Sequence, residues 1–426
     1  MTTLSTQPVK GMRDILGMQA RVKRKIEFII TQTAQKYGFD PMQVPVLENL
    51  SVLTVKGGGG EEAAKELFTL EDQSGRKLGM RFEFTTSLAR VVAGNPDLPK
   101  PIKALNMGPV YRYDNPQFMR YREFTQGDCD IIGSNKPAAD AECLILAIDV
   151  MQTLGFTEFF LRVNDRRLIN SLLTLANVPE DKAKEAMRTL DKLDKIEMEG
   201  VEKELRGKGI STDILSYLEK DFSTIKRELE QKNVKSEGIV SLEAIFGQLE
   251  AQKKMQFVKF DLSLIRGLEY YTGMVVEVFA GVKVSVGGGG RYDNLIKSLG
   301  GPDLPAVGVS FGVDRLMDIL VERWVDIPAE LFIIPIGNTL NACQLLASEL
   351  RAKDLKVEVD LMQRNIGKNM QYANNKQVPI VLFLGEDEMK QNSVKLRDMK
   401  SGEEKMFPLS PLTKLIAQIN AILGKK

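Results

Sequence analysis

Residues 120–130, RYREFTQGDCD, combine arginine, aromatic, amide and carboxyl side chains within one short stretch. In an extended strand, alternate side chains lie on the same face of the sheet. One face is therefore predicted to carry the side chains of Arg122, Phe124, Gln126, Asp128 and Asp130. Gly127 is a candidate for a bulge that would interrupt this alternation. Such a face could bind a polar ligand, or it could be the solvated side of an edge hairpin.

Two other parts of the chain carry the same kinds of side chain. The stretch LIRGLEYYTGMVVEVF, 264–279, places Arg266, Tyr270 and Tyr271 beside predicted strands. Arg315 follows the glycine-spaced run AVGVSFGVD. Arginines that project from strands and from the start of a helix, with an aromatic ring for stacking, suit a polyphosphate and a base. Because a solvated edge hairpin would not account for these clusters, the ligand-binding interpretation is favoured.

The chain contains no histidine, and this limits the chemistry available to it. A Ser-His-Asp triad, a Cys-His nucleophile and a zinc site with histidine ligands are excluded. Catalysis must then use carboxyl groups, arginine or lysine, hydroxyl groups, a bound metal, or positioning alone. No side chain has an ordinary pKa between 5 and 8, but burial of Asp130 beside Tyr270 and Tyr271 would raise the pKa of that carboxyl.

Two glycine clusters lie at 55–62 and 286–296. Neither matches the P-loop or the dinucleotide-binding fingerprint. The first cluster is predicted to be a mobile loop. The second is either a place of close backbone packing or a place where a ligand approaches the backbone, since glycine permits both.

The elements that would position these residues are helices and strands in alternation. Hairpins are predicted at 67–84 and 105–132, and helices at 19–37 and 138–154. Lysine- and glutamate-rich helical patterns from about 165 to 254 indicate a helical insertion. After a second group of strands, the C-terminal part alternates strands and helices, which is typical of a separate small α/β domain.

Composition adds further limits on the kind of protein this is. Hydrophobic residues make up 43% of the chain and charged residues 27%, as in a soluble globular protein. The 58 basic and 57 acidic side chains nearly cancel, so any nucleic-acid contact must use local basic patches. No signal peptide or long apolar run is recognisable, so no membrane association is predicted. The three cysteines form no CxxC pair, which favours a cytoplasmic location.

Three segments resemble the motifs of class II aminoacyl-tRNA synthetases. KYGFDPMQVPVLE, 36–48, is similar to the first motif, VYRYDNPQFMRYREFTQGDCDIIG, 110–133, to the second, and AVGVSFGVDRL, 306–316, to the third. RGLEYYTG, 266–273, resembles the signature of the histidyl-tRNA synthetases within that class. The resemblance covers essentially the whole chain. It implies an α/β (α+β) fold, with the antiparallel class II sheet flanked by helices.

The resemblance implies an ATP-binding site on the second and third motifs. The implied ATP-binding residues are Arg112, Asp114, Arg120, Phe124 and Arg315. Arg112 and Arg266 would face the α-phosphate from opposite sides and are the implied catalytic residues. Arg120 and Arg315 would hold the γ-phosphate, and Mg²⁺ would bridge the outer phosphates. Asp114 stands where the class usually has glutamate.

The same resemblance implies a pocket for L-histidine. Its residues would be Glu83, Thr85, Gln126, Asp130, Arg266, Tyr270 and Tyr271. Glu83 would receive the substrate ammonium, with Thr85 beside it. Asp130 stands where a glutamate is familiar in the family.

A domain order and a set of partners are also implied by the resemblance. Residues 1–165 and 255–324 would form the catalytic domain, 166–254 the helical insertion, and 325–426 an anticodon-binding domain. Histidine would be activated with ATP to histidyl-adenylate and transferred to the 3′ end of tRNA(His). The first motif would form the interface of a homodimer.

Two alternative functions are left open by the sequence. One is a non-catalytic paralogue that acts as the regulatory subunit of ATP phosphoribosyltransferase; that family lacks the anticodon-binding domain. The other is an RNA-binding or kinase-associated synthetase-like domain with a degraded pocket. The C-terminal domain and the retained arginines, Arg112, Arg120, Arg266 and Arg315, favour the enzyme.

Overall fold

The predicted hairpin lies within the larger of two compact units, residues 1–323 and 324–426. The computed structural model of the protein describes residues 5–55, 65–265, 270–324 and 327–425. The strands of the larger unit are β1 (Asp40–Met42), β2 (Leu47–Asn49), β3 (Thr69–Glu71), β4 (Lys77–Met80), β5 (Ile102–Tyr111), β6 (Glu123–Ile132), β7 (Phe160–Asp165), β8 (Val258–Phe260), β9 (Met274–Phe279), β10 (Gly287–Arg291) and β11 (Ala306–Gly312).

The main sheet has the strand order β1-β5-β6-β11-β10-β9-β7-β8. The pairs β1–β5 and β7–β8 are parallel and the other neighbours are antiparallel. β1, which contains Pro41, lies at the sheet edge, where a proline without an N–H group is tolerated. A second, small sheet has the order β2-β4-β3, and its strands β3 and β4 form the hairpin predicted at 67–84.

Helices cover both faces of the main sheet. They are α1 (Gly17–Lys36), α2 (Leu50–Leu53), α3 (Thr85–Gly94), α4 (Pro137–Thr153), α5 (Arg166–Leu175), α6 (Glu180–Leu190), α7 (Leu193–Gly207), α8 (Phe222–Gln231), α9 (Glu237–Ala251), α10 (Leu295–Ser298) and α11 (Val313–Leu320). Residues 166–257, all of which are described, contain α5 to α9 and two 3-10 turns and no strand, as the lysine- and glutamate-rich pattern predicts. None of the helices in the described part of the chain combines the length and apolar character needed to cross a bilayer.

The two faces of the hairpin have different neighbours. A Cβ atom on Gly127 would lie 2.6 Å from Met107 and 3.4 Å from Ile30 of α1, so this face is filled by α1. α4, which is apolar almost all round, packs against α1, β11 and α9. The opposite face carries the even-numbered residues of β5 and β6 and is available for a site.

The smaller unit forms a second sheet with its own core. Its strands are β12 (Leu331–Pro335), β13 (Val357–Val359), β14 (Ile380–Leu384), β15 (Ser393–Asp398) and β16 (Glu404–Pro408), and its helices are α12 (Leu340–Arg351), α13 (Ile366–Asn375), α14 (Glu386–Lys390) and α15 (Thr413–Leu423). The order is β13-β12-β14-β15-β16, with the first three strands parallel and β15 and β16 antiparallel to their neighbours. The sequence did not predict β16 or α14, because both are short and mostly polar.

Of the sequence expectations about glycine, the bulge is contradicted by the structure and the close backbone packing of the second cluster is confirmed. The pairing of β5 with β6 runs without interruption from Glu123 to Ile132, so the proposed bulge at Gly127 is wrong. The second glycine cluster is itself strand β10, paired on both sides with β9 and β11. The first cluster, predicted as a mobile loop, falls at 56–62, which is outside the described residues.

Close packing of β10 against β11 gives a stability prediction. A Cβ atom on Gly289 would lie 2.0 Å from the Gly308 carbonyl oxygen, and that backbone oxygen cannot move without disturbing the sheet. Gly289→Ala is expected to lower the free energy of unfolding by about 1–3 kcal/mol. Gly247→Ala is the control, because Gly247 is exposed on α9 with nothing near its Cβ position, and alanine favours a helix. Calorimetric unfolding midpoints that fall equally for the two variants would contradict this packing argument.

Candidate active site

A cleft of about 560 Å³ lies over the even-numbered face of the main sheet. It is lined by residues from α3, β6, β9, β10, β11 and α11, and from the loops that follow β5 and precede β9 and β10. The side chains in it fall into two contact groups of opposite character. One group contains carboxyl and phenol groups, and the other contains arginines.

Glu83 belongs to the carboxyl group and is only 4% exposed. Its two carboxylate oxygens accept hydrogen bonds from the N–H groups of Thr85 (2.5 Å) and Thr86 (2.8 Å). These N–H groups are at the start of α3 and have no partner within the helix. Glu83 is therefore held in place by the helix terminus, and each of its oxygens already has one donor.

Asp130 is buried and contacts Tyr292. One of its oxygens accepts a hydrogen bond of 2.6 Å from the Tyr292 hydroxyl, and the other has no partner. Burial raises the pKa of Asp130 well above its usual range, and the neighbouring Asp128 adds to the increase. On the paired strand, a Cβ atom at Gly308 would lie 2.0 Å from the Asp130 carboxyl, so glycine is needed at that position.

Asp128 is the carboxyl group that the sequence did not assign to a site, although it placed Asp128 on the correct face of β6. The residue is 4% exposed and lines the cleft. Burial raises its pKa from 3.8 to about 7, and the charge of Glu83 contributes. Hydrogen bonds from the Ser310 hydroxyl and the Phe84 N–H oppose that increase. Its Oδ1 atom has no partner.

The tyrosines form the apolar wall of the same pocket. The rings of Tyr270 and Tyr271 meet edge to face with 4.8 Å between centroids, and Tyr292 lies 5.8 Å from Tyr270. Thr85 hydrogen-bonds to Tyr270, whose pKa is raised well above 10 by burial. Gln126 completes this group: its amide nitrogen donates to the Ser310 hydroxyl at 2.9 Å, and its amide oxygen has no partner.

The arginine group is held by backbone carbonyls and by one ion pair. Nε of Arg112 donates to the Phe82 carbonyl at 3.0 Å, and its guanidinium lies 5.2 Å from the Phe124 ring centroid. Arg315 donates to the carbonyls of residues 119 (2.9 Å) and 285 (2.6 Å). Arg120 forms an ion pair with Asp114. Backbone carbonyl oxygens thus fix the guanidinium groups of Arg112 and Arg315, and a carboxylate fixes that of Arg120.

A buried ionic network that no sequence motif indicated ties these pieces together. Asp314, which is 2% exposed, accepts hydrogen bonds from the Thr125 N–H at 2.7 Å and from Arg13 at 3.0 Å. Arg13 also pairs with Asp318 at 3.1 Å, and its guanidinium lies 3.6 Å from the Tyr121 ring centroid. The network joins the N-terminal segment to β6 and α11, and so sets the position of the neighbouring Arg315.

The predicted site residues that the structure describes all line this one cleft. They are Glu83, Thr85, Arg112, Asp114, Arg120, Phe124, Gln126, Asp130, Tyr270, Tyr271 and Arg315. Arg266, the remaining predicted residue, lies outside the described residues. Arg122, predicted on the ligand-binding face, does not line the cleft. Its guanidinium lies 4.1 Å from the Tyr113 ring centroid, and its Nε donates to the Asp114 carbonyl at 2.9 Å.

The raised pKa of Asp128 predicts a pH-dependent stability. The carboxyl ionises near pH 3.8 in the unfolded chain and near pH 7 in the folded chain. The folded chain therefore binds more protons between these values, and stability falls as the pH rises through them. Asp128→Asn removes this effect. At each pH, the unfolding midpoint of the wild type is subtracted from that of the variant. We expect this difference to be larger at pH 8 than at pH 5 by on the order of 5 °C.

The matched control for this measurement is Asp97→Asn, which makes the same chemical change at an exposed carboxyl. Its difference from the wild type is expected to be the same at both pH values. A constant difference for Asp128→Asn as well would show that this carboxyl does not change its ionisation on folding.

Each of the two units matches a known protein family. A family model described as histidyl-tRNA synthetase matches residues 11–316, and one described as an anticodon binding domain matches residues 330–419. Histidine--tRNA ligase 1 of Bacillus cereus is 36% identical over 423 residues, which cover 96% of this chain and 99% of that relative. Histidine--tRNA ligase of Pyrobaculum aerophilum is 36% identical over 410 residues, 95% of this chain and 97% of that relative.

Solved structures show the same fold. The crystal structure of histidyl-tRNA synthetase from Nostoc sp. PCC 7120 superposes with a TM-score of 0.86 at 24% identity, covering 98% of this chain and all of that one. A Bacillus halodurans structure, titled an ATP phosphoribosyltransferase regulatory subunit/histidyl-tRNA synthetase, superposes with a TM-score of 0.75 at 25% identity. The match covers 90% of this chain and all of that one. The full-length relatives and the family model together establish that the chain belongs to the histidyl-tRNA synthetase family.

Proposed function

We propose that the chain activates L-histidine with ATP and transfers it to the 3′ end of tRNA(His). The observation that carries this proposal is a single cleft that places a buried group of carboxyls and tyrosines beside a group of arginines. The first group suits the ammonium and imidazole of histidine, which are hydrogen-bond donors. The second suits the phosphates of ATP.

In the activation step, a histidine carboxylate oxygen attacks the α-phosphorus of ATP. A new C–O–P linkage forms, the bond to the β-phosphate oxygen breaks, and pyrophosphate leaves. No general base is required, because the attacking carboxylate is already ionised. Fixed cations stabilise the negative charge that develops on the phosphorus centre. We assign Arg112 to this role, together with Arg266 on the basis of the sequence motif.

The remaining arginines would bind the outer phosphates of ATP. Arg120 and Arg315 are assigned to the γ-phosphate, and adenine to the space between Phe124 and Arg315. In the structure, Asp114 pairs with Arg120, which supports an additional task for Asp114 in orienting that guanidinium.

The cleft also contains a carboxylate that fits Mg²⁺. Glu277 of β9 lines the cleft and is paired across the sheet with Gly288. Mg²⁺ is bound in such sites by one or two carboxylates together with substrate phosphates. We propose Glu277 as the protein ligand. When bound, the ion would neutralise charge on the outer phosphates.

For histidine, we assign Asp130, Tyr270 and Tyr271 to the imidazole and the amide of Gln126 to the amino group. The reaction is placed in the cytoplasm, in keeping with free, buried cysteines at the three positions where the chain has them. A homodimer through the first motif is supported by Leu47 of β2, a motif residue that is 45% exposed, and by Phe28 on the preceding helix α1, which is 63% exposed.

A regulatory role, as in the titled Bacillus halodurans protein, is the second candidate. The match of residues 330–419 to an anticodon-binding domain argues against it. So does the presence of Arg112, Arg120 and Arg315 in one cleft. A regulatory subunit would bind histidine without consuming ATP.

Histidine-dependent exchange of pyrophosphate into ATP tests the proposed function. The wild type is expected to catalyse the exchange, and Arg112→Ala is expected to lower kcat by on the order of 10² or more, as for a lost transition-state contact. The KM for histidine should change far less. Arg76→Ala, at an exposed arginine outside the cleft, is the control. Histidine binding without exchange by the wild type would favour the regulatory role.

The compact unit at residues 324–426 gives a prediction about tRNA. A chain that ends at Arg323 is expected to retain histidine-dependent exchange, because the cleft is built entirely from the larger unit. Its aminoacylation of tRNA(His) is expected to fall by on the order of 10² or more, a loss of anticodon contacts equivalent to about 2–3 kcal/mol. Full charging by this truncated chain would contradict the anticodon-binding assignment.

A further inference from the structure

Three buried polar atoms in the lining of the cleft have no hydrogen-bond partner. Among the described residues that line the cleft, these atoms are Oε1 of Gln126, Oδ1 of Asp128 and Oδ2 of Asp130. Buried polar groups in proteins nearly always have partners. All three atoms are acceptors, so the group that completes this site must bring donors.

The three acceptors lie on every second residue of β6 and therefore on one face. Each step between them is about 7 Å along the strand, twice the rise per residue. Histidine carries an ammonium with three N–H donors at one end and a ring N–H donor at the other, separated by a short carbon chain. The spacing of acceptors along β6 matches a ligand that has donors at both ends.

Glu83 is less well placed than Asp128 to be the main acceptor for the ammonium. Both oxygens of Glu83 already accept N–H groups at the start of α3, at 2.5 and 2.8 Å. Asp128, by contrast, has one oxygen, Oδ1, that is buried and without a partner. One of the two unoccupied carboxyl oxygens of the pocket therefore belongs to a residue to which the sequence motifs gave no role.

Ser310 is close to two of the three acceptors. It is the neighbour of Asp128 across the sheet, in the row Asn106, Asp128 and Ser310 of β5, β6 and β11. Its hydroxyl accepts the Gln126 amide N–H at 2.9 Å, and its proximity to Asp128 lowers the pKa of that carboxyl, against the effect of burial. The Gln126 amide oxygen and Asp128 Oδ1 both remain without a partner in the cleft, as expected for a preorganised ammonium site.

We propose that Asp128 contacts the substrate directly, accepting a hydrogen bond from the histidine ammonium through Oδ1 beside Gln126, while Asp130 contacts the imidazole. This inference rests on the proposed function, and it deepens that function by naming the residue that selects for the α-amino group. Asp128 would then bind the ammonium end of histidine and Asp130 the imidazole end, from alternate residues on one face of β6.

The test compares Asp128→Asn with Asp130→Asn in the full-length chain. Three ligands separate the two ends of the substrate: histidine, histidinol, which keeps the amine and ring, and imidazole-4-propionate, which keeps the ring and carboxylate but has no amine. Pyrophosphate exchange gives the KM for histidine and the inhibition constants of the other two. Far-ultraviolet circular dichroism and the unfolding midpoint confirm that each variant is folded.

For Asp128→Asn, the KM for histidine and the inhibition constant of histidinol are expected to rise about 10- to 100-fold, as for a lost charge-assisted hydrogen bond. The inhibition constant of imidazole-4-propionate is expected to stay the same, because that ligand has no ammonium. Asp130→Asn should weaken all three ligands, since all three carry the ring. An equal loss for all three ligands in Asp128→Asn, or an unchanged KM for histidine, overturns the inference.

Failure of the inference can be distinguished from failure of the proposed function. A wild type without histidine-dependent exchange contradicts the function. A wild type with exchange and an Asp128→Asn variant with unchanged ligand preference contradicts only the role of Asp128. Where the turnover of the variant is too low to measure, calorimetric titration with histidinol and imidazole-4-propionate gives the same comparison. Asp128→Ser serves as the second variant if the asparagine is not tolerated.

Discussion

The burial of three carboxyl groups in one pocket constrains the rest of the larger unit. Glu83, Asp128 and Asp130 are each at most 4% exposed, and among the described residues none of them has an arginine or lysine within ion-pair distance. Burying such groups is unfavourable unless hydrogen bonds compensate. The N–H groups at the start of α3 and the Tyr292 hydroxyl provide such bonds to Glu83 and Asp130, and the Ser310 hydroxyl lies beside Asp128. Helix α3 must begin beneath the cleft for this reason.

The glycine-rich strand β10 is a consequence of the same pocket. A Cβ atom on Gly290 would lie 2.6 Å from the Met274 carbonyl oxygen and 2.8 Å from the Tyr271 ring, and one on Gly287 would lie 2.7 Å from the Ser310 carbonyl oxygen. Side chains on this strand would therefore displace the residues that form the wall of the pocket. Glycine weakens an isolated strand, and pairing with β9 and β11 on both sides compensates for that weakness.

Local patterns predicted the elements and much of the cleft, because strand alternation and helical periodicity are properties of neighbouring residues. The alternation along β6 placed Phe124 and Asp130 on one face as observed. It was wrong for Arg122, since the end of the hairpin turns that side chain toward Tyr113. The contact between Arg13 and Asp314 joins residues about 300 positions apart, and no local period encodes such a pairing. The unpartnered oxygen of Asp128 became visible only when the strands on either side were in place.

The relative position of the two contact groups depends on residues that belong to neither. Asp314 and Arg315 are adjacent at the start of α11, but their side chains have opposite tasks. Both line the cleft, but Asp314 binds Arg13 and the Thr125 N–H, whereas Arg315 donates to two backbone carbonyls. Thr125 lies between Phe124 and Gln126, which also line the cleft. The Asp314 carboxylate thus fixes helix α11, which carries Arg315, to strand β6, which carries Gln126, Asp128 and Asp130. Because the attacking carboxylate and the α-phosphate must approach in one geometry, this buried network determines the alignment on which catalysis by positioning depends.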